Sequence, residues 1–327
     1  MKKLKEIYSA HTNKVSDKWS LYLEVYDRIF DSYRNSPINL LEIGIQNGGS
    51  LEIWDKYFPN AIEIIGCDIN EKCADLTFES KKISVIVGDA CSKDISRQIT
   101  IISPSFDIII DDGSHSSSDI IKSFLHYFSQ INDGGIFVAE DLHCSYWQEY
   151  EGGLFNSKSS ISFFKSLADV INYEHWGLDL DPAYIISHIL DEYGCAIPTD
   201  ILSEIHSIEF INSICVVRKR NSSNNKLEKR IVVGEIAAVE PAVMQLNGMS
   251  MFCLDQSTSK WNIPFSAQVE DLNDRINELN ETLRKRIIDI ENLHSELENV
   301  LGSRSWRIMW PLRKFSMVLR KLFSKIY

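Results

Sequence analysis

The chain reads as a doubly wound α/β sheet. Five short apolar runs, INLLEIG, IEIIGCD, ISVIVGDA, FDIIIDDG and GGIFVAED, recur between residues 37 and 141. Near-continuous apolar runs are what the strands of a parallel sheet buried on both faces require. The segments between them, such as SLEIWDKYF and SSSDIIKSFLHYFSQI, carry helical periodicity and read as crossover helices. The strand ends are rich in Gly, Asp and Glu, and in open, Rossmann-like folds that sheet edge is where ligands bind.

The elements follow in order. Residues 15 to 30, VSDKWSLYLEVYDRIF, place Trp19, Tyr22, Leu23, Tyr26, Ile29 and Phe30 at helical spacing, which predicts an amphipathic N-terminal helix. Residues 1–36 then form a helical segment on the substrate side of a sheet domain spanning 37–220. SIEFINSICVVRKR, at 207–220, reads as a terminal hairpin or strand pair finishing that sheet. The polar run NSSNNK opens a linker over 221–265, with IVVGEIAAV as a small β element. In 266–302 Val269, Ile276, Leu283, Ile290 and Leu297 repeat every seven residues, with Leu272, Leu279, Leu293 and Val300 in the second seam. Arg286 alone interrupts it, beside Ile287. That heptad predicts a coiled coil and hence a homo-oligomer, a single packed helix being the alternative.

Residues 303–327 contain Arg304, Arg307, Arg313, Lys314, Arg320, Lys321 and Lys325 and no acid. The whole chain of 327 residues carries −12, which leaves −19 for the remainder and argues against a nucleic-acid-binding body. Beyond Pro311, Leu312, Phe315, Leu319, Leu322, Phe323 and Ile326 share a helical face beside the basic residues, which predicts a tail lying on an anionic membrane surface or docking on a protein. Seven scattered cysteines form no CxxC pair and suggest neither a zinc site nor a disulfide framework. With no apolar leader and no long apolar span, the expectation is a cytoplasmic protein, peripheral at most to the membrane.

The first strand ends in LLEIGIQNGGS, where Glu42, Gly44, Gly48 and Gly49 make a turn that lets backbone approach a ligand at a helix start. Such turns also occur in dinucleotide-binding domains. The second strand ends on Asp68, placed where a ribose diol is held, and the third on Gly88 and Asp89. Three successive strand ends therefore predict a nucleoside cofactor. The fourth strand delivers Asp111, Asp112, Gly113, Ser114 and His115, and the fifth Glu140 and Asp141. Carboxylates so close together suit Mg²⁺ or a similar hard ion, and His115 adds a group titrating near neutral pH. The alternative is that the acids cap helices and the histidines are solvated loop residues; His11 and His143 are read that way.

The stretch HTNKVSDKWSLYLEVYDRIF, followed by LLEIGIQNGGSLEIW, then DDGSH and AEDLH, resembles the metal-dependent sugar O-methyltransferases of the macrocin and mycinamicin type, which are class I S-adenosylmethionine-dependent enzymes. The resemblance covers residues 8 to 220. It implies that Asp112, Glu140 and Asp141 hold Mg²⁺, that His115 is the general base, and that Glu42, Gly44, Gly48, Gly49, Asp68 and Asp89 form the S-adenosylmethionine pocket. Gln46 stands where many methyltransferases have a further glycine. Tyr146 and Trp147 are candidates for an aromatic wall against a sugar acceptor, or else core. SRSWRIMWPLRKF resembles a motif at the ends of bacterial surface-polysaccharide enzymes, which implies O-antigen or capsule assembly. A non-catalytic assembly scaffold and a nicotinamide dehydrogenase are the competing expectations; the GxGxxG fingerprint of the latter is absent.

Overall fold

The computed structural model describes residues 2–262 and 265–323, with residues 265–271 and 319–323 described as helix only. The chain divides into two units, Met1–Asp255 and Gln256–Tyr327.

In the first unit, helix α1 (Leu4–Ser9) and helix α2 (Ser20–Phe30) precede strand β1 (Asn39–Ile43). Helix α3 (Gly49–Tyr57), strand β2 (Glu63–Asp68), strand β3 (Ile83–Val87), helix α4 (Lys93–Ile102), strand β4 (Phe106–Asp111), helix α5 (Ser117–Tyr127) and strand β5 (Ile131–Ala139) follow. Helices α6 (Ser160–Ile171), α7 (Ser187–Tyr193) and α8 (Thr199–Leu202) lead to the hairpin of β6 (Ile205–Ile211) and β7 (Ile214–Lys219). The sheet runs β3-β2-β1-β4-β5-β7-β6, parallel through β5 and closed by antiparallel β7.

Alternate strand residues feed two cores. Leu41, Ile109 and Phe137 pack on the α5 and α6 face, whereas Leu40, Ile108, Ile110 and Ile136 pack on the α1, α2 and α3 face. On the second face Phe30 lies 5.7 Å from Trp54 and 5.5 Å from Phe58, ring centre to ring centre, and Tyr26 stacks on Phe30 at 4.8 Å. Each of these buried rings is worth about 2 kcal/mol of apolar burial, enough together to fix α2 against α3.

Register brings the strand ends level. Ile43 pairs with Cys67 and with Asp111, and Asp111 pairs with Ala139. Gly44, Asp68, Asp112 and Glu140 each come one residue later and share one edge. The N-terminal helix begins at Ser20 instead of residue 15. Residues 15–19 are not helical: Trp19 sits at φ −58° and ψ 141°, and the Lys14 and Val15 carbonyls cover Gly49, where an added Cβ would meet them at 2.3 and 2.4 Å. Glu52 fastens this strap by accepting from Asn13 Nδ2 at 2.9 Å and Lys14 Nζ at 2.7 Å.

The described part of 221–262 carries one isolated antiparallel bridge, Lys229 to Ser250, and no strand, and IVVGEIAAV is exposed. In the second unit, helix α9 (Phe265–Gly302) and helix α10 (Arg304–Phe323) meet at Ser303. The described apolar seam residues of α9, from Leu272 to Val300, are between 50% and 65% exposed. The Val269 side chain lies outside the described residues, as do those of Leu319, Arg320, Lys321, Leu322 and Phe323 and all of Lys325 and Ile326. No described helix is long and apolar enough to cross a membrane.

Candidate active site

A cavity of about 630 Å³ opens along the level strand ends, within the range of cofactor pockets. Gly44, Asp68 and Asp89 line one stretch of it and Asp112, His115 and Asp141 another. Glu42, Gly48 and Gly49 lie behind this lining. Gly48 adopts φ 76° as the residue before α3, and Glu42, fully buried, accepts from Ser50 Oγ at 2.6 Å and Trp54 Nε1 at 3.2 Å. Gly44, at φ 85°, has no room for a side chain: a Cβ there would meet the Asp112 carbonyl oxygen at 2.0 Å. Gln46 takes φ 49°, the left-handed conformation that a glycine adopts freely, so the turn keeps a glycine-like shape without the glycine.

Asp68 is the clasp of that turn. It accepts from the backbone N–H of Ile45 at 2.9 Å, Gln46 at 2.8 Å and Asn70 at 2.9 Å. A carboxylate offers about four lone-pair sites, so capacity remains for one hydroxyl of a ribose.

The acids of β4 and β5 divide into two groups. Glu140, 1% exposed, turns inward to accept from Lys18 Nζ at 2.6 Å and from the Tyr26 hydroxyl. Lys18 also reaches Asp112 Oδ2 at 2.5 Å and lies 3.5 Å from Glu42 Oε1. Its side chain is 3% exposed, so the ammonium is a buried internal cation. Burial opposes that charge, but Glu140, Asp112 and Glu42 overcome it and hold the Lys18 pKa well above its usual value. Burial likewise raises Glu42, Asp112 and Glu140 from their ordinary values against the pull of Lys18, and pushes neighbouring Asp111 to about 6.

Asp141 turns outward, its backbone left-handed at φ 53°, and its Oδ1 accepts from Tyr22 Oη at 2.7 Å and Trp19 Nε1 at 3.0 Å. Tyr22 Oη also lies 2.9 Å from Ser213 Oγ in the β6–β7 turn. Ligand atoms of Asp112, His115 and Asp141 all lie within 4.8 Å of one another, and His115 Nε2 is 3.7 Å from Asp141 Oδ2. Two carboxylate oxygens from adjacent strand ends fit a hard divalent ion, whose preference for oxygen leaves the His115 nitrogen free for a proton. Glu140 stands beside this group, engaged by Lys18 and Tyr26. Tyr146 and Trp147 are 43% and 49% exposed on the loop after Asp141, outside the core. His11 bonds the Lys14 carbonyl at 2.7 Å and His143 faces Ser213, both as struts.

No family model matches the chain. A demethylmacrocin O-methyltransferase of Streptomyces fradiae is 34% identical over 177 residues, covering 50% of this chain and 44% of its own. A mycinamicin VI 2''-O-methyltransferase of Micromonospora griseorubida is 33% identical over 177 residues, with 50% and 43% covered. A methyltransferase from the mycinamycin biosynthetic pathway, solved in complex with Mg and SAH, superposes with a TM-score of 0.56 at 27% identity, over 75% of this chain and 59% of its own. The fold is the class I methyltransferase fold. The chain spans under half the length of the curated relatives it matches, all named as O-methyltransferases of glycosides or macrolides.

Within this methyltransferase fold, sequence reasoning missed Lys18, Trp19, Tyr22 and Tyr26 as site residues. Helical spacing placed the aromatics on an apolar stripe, and their bodies are indeed packed there. The signal available was a lysine next to that stripe and hydroxyls on two of its rings, features that an apolar face does not need.

Proposed function

We propose that the chain is an S-adenosylmethionine-dependent, Mg²⁺-dependent O-methyltransferase acting on a sugar hydroxyl. The observation that carries this reading is one cavity with Gly44, Asp68 and Asp89 along one stretch and Asp112, His115 and Asp141 along another. The first group suits a nucleoside donor, and the second suits a divalent ion beside a base. Relatives named as O-methyltransferases, one of them of a rhamnosyl tetracenomycin, and a solved one in complex with Mg and SAH support the same assignment.

Asp68 takes a ribose hydroxyl, and Gly44, lacking a side chain, lets the Asp112 backbone close against the turn at the cavity wall. Asp112 and Asp141 hold the ion, with Glu140 a further oxygen at the same strand end, the ion competing with the Lys18 ammonium that Asp112 and Glu140 share. Bound there, the ion supplies Lewis acidity that makes a chelated sugar hydroxyl more acidic, and the donor supplies an electrophilic methyl group. His115 accepts the hydroxyl proton, and Asp141, tied by Tyr22 and Trp19, orients it.

Calorimetry with SAH and transfer from labelled donor test the assignment together. Asp112→Ala and Asp141→Ala should bind SAH like the wild type and lose most transfer, and chelation of the wild type should do the same. Transfer that persists in chelator would overturn it.

The finer part of the proposal places the acceptor in a bacterial surface polysaccharide, with the chain self-associating through α9 and resting its basic tail on an anionic membrane face. The tail segment SRSWRIMWPLRKF and the exposed heptad of α9 support it.

A further inference from the structure

A second cavity, of about 460 Å³, lies beside α1, α2 and α3 and shares no lining residue with the cavity described above. Lys2, Ile7, Ala10, Arg34, Lys56 and Pro59 line it. Lys56 and Pro59 stand at the end of α3 away from Gly49, and Arg34 precedes β1, so this cavity sits where the strands begin, opposite the acids. Three of its six lining residues are cationic and none is acidic. That is a local reversal of sign in a chain of net charge −12.

Arg34 is the fixed part of this cluster. It is 8% exposed, and its guanidinium lies 4.4 Å from the centre of the fully buried Tyr57 ring. Nη2 donates to the Lys2 carbonyl, whereas the buried Nε–H meets no acceptor among the described residues. A buried donor on a charged group is costly to leave unpaired, so this nitrogen calls for an oxygen. Asp27, beside Tyr57, does not supply it, being engaged by the Leu4 N–H at 2.9 Å and the Tyr57 hydroxyl at 3.0 Å. Among the described residues no carboxylate pairs with Arg34, Lys2 or Lys56. Lys56 Nζ lies 3.2 Å from His11 Nδ1 and keeps further donors for a ligand.

We propose that Arg34, Lys56 and Lys2 form a second binding site, separate from the methyl-transfer cavity, for the phosphate or diphosphate group of a soluble small molecule. A guanidinium held flat against a ring presents its N–H groups in fixed directions, which suits phosphate oxygens, while the two exposed ammonium groups reach the outer oxygens as mobile charges. A single carboxylate would leave two of the three cations unmatched, so the charge favours a multiply charged anion. The cavity is larger than one phosphate fills, and Ile7, Ala10 and Pro59 offer apolar contact to the body that carries it.

Calorimetry on the full chain, without Mg²⁺ and at an ionic strength fixed with NaCl, tests this with inorganic pyrophosphate, orthophosphate and acetate. Pyrophosphate should bind more tightly than orthophosphate, and acetate should not bind. Arg34→Gln should weaken pyrophosphate about tenfold, the loss of one charged hydrogen bond, and Lys56→Gln about threefold. Thermal melts report whether each variant is folded, and Lys56, on the surface, keeps the test decisive if Arg34→Gln is not. Pyrophosphate that fails to bind, that binds no better than acetate, or whose binding is indifferent to either substitution in a folded variant would overturn the proposal. Binding to phosphatidylglycerol vesicles that Lys56→Gln weakens, with none to pyrophosphate, would also overturn it by assigning these cations to a lipid surface.

Discussion

Lys18 holds an unusual position for a lysine, since its ammonium is buried among Glu42, Asp112 and Glu140. Removing one partner of a buried charge cluster leaves the others uncompensated, at a cost of about 3–5 kcal/mol. Lys18→Met should therefore lower the unfolding free energy from urea titration by that order, moving the midpoint down, and Mg²⁺ should restore part of the loss by neutralising the same carboxylates. A midpoint that neither falls nor responds to Mg²⁺ would show that Lys18 does not balance the cluster. His115→Ala should leave SAH binding and folding unchanged but slow transfer by roughly 10²- to 10⁴-fold, the usual contribution of a positioned base, with part returning at high pH. Elsewhere, burial lowers the pKa of His126 against the opposing pull of Asp89. Its neutral form is favoured in the fold, so the stability it contributes is present above the ordinary histidine pKa and is lost as pH falls through the lowered one. His126→Gln should flatten the acid side of a thermal-stability profile taken from pH 7 to 5.

The glycine turn after β1 and the heptad of α9 are both elements whose sequence can be tested directly. Gly44→Ala puts a methyl group 2.0 Å from the Asp112 carbonyl at a backbone φ of 85°, so donor binding and stability should fall together, measured by calorimetry and thermal melts. In α9, replacing Leu279 and Leu283 by Glu should lower the oligomeric state in sedimentation, and an unchanged state would make the helix a solitary one. These two elements were readable because each writes its rule locally, as glycines after an apolar strand or as a period of seven. The same holds for β1 to β5, whose unbroken apolar runs identify buried parallel strands, and for the acids at their ends. The start of α2 was not readable from residue 15, because Val15 to Trp19 fit a helix by periodicity and are held out of one by the Gly49 cover and the Lys18 contacts. Nor were Tyr22 and Tyr26, whose hydroxyl partners lie 119 and 114 residues away. Local pattern carries no record of such separations.

At the scale of the whole molecule, every residue assigned to the site lies within Met1–Asp255. A chain ended at residue 255 should keep SAH affinity, which calorimetry would show. A chain lacking residues 303–327 should keep SAH affinity and lose binding to anionic vesicles in flotation, because the seven basic residues it removes leave a body of charge −19 that such a surface repels. Unchanged flotation would assign that helix to a protein partner. The path of the chain also sets a timetable for biosynthesis. Lys18 meets Glu140 across 122 residues, Tyr22 meets Ser213 across 191, and Ser213 sits in the turn of the β6–β7 hairpin, the last pair of the sheet to be made. Contacts so distant along the chain form late. The hydroxyl that anchors Asp141 therefore gains its Ser213 partner only after the strands carrying Asp112, Glu140 and Asp141 have been made, so the fastening of the outer acid is the last piece of this edge to be completed.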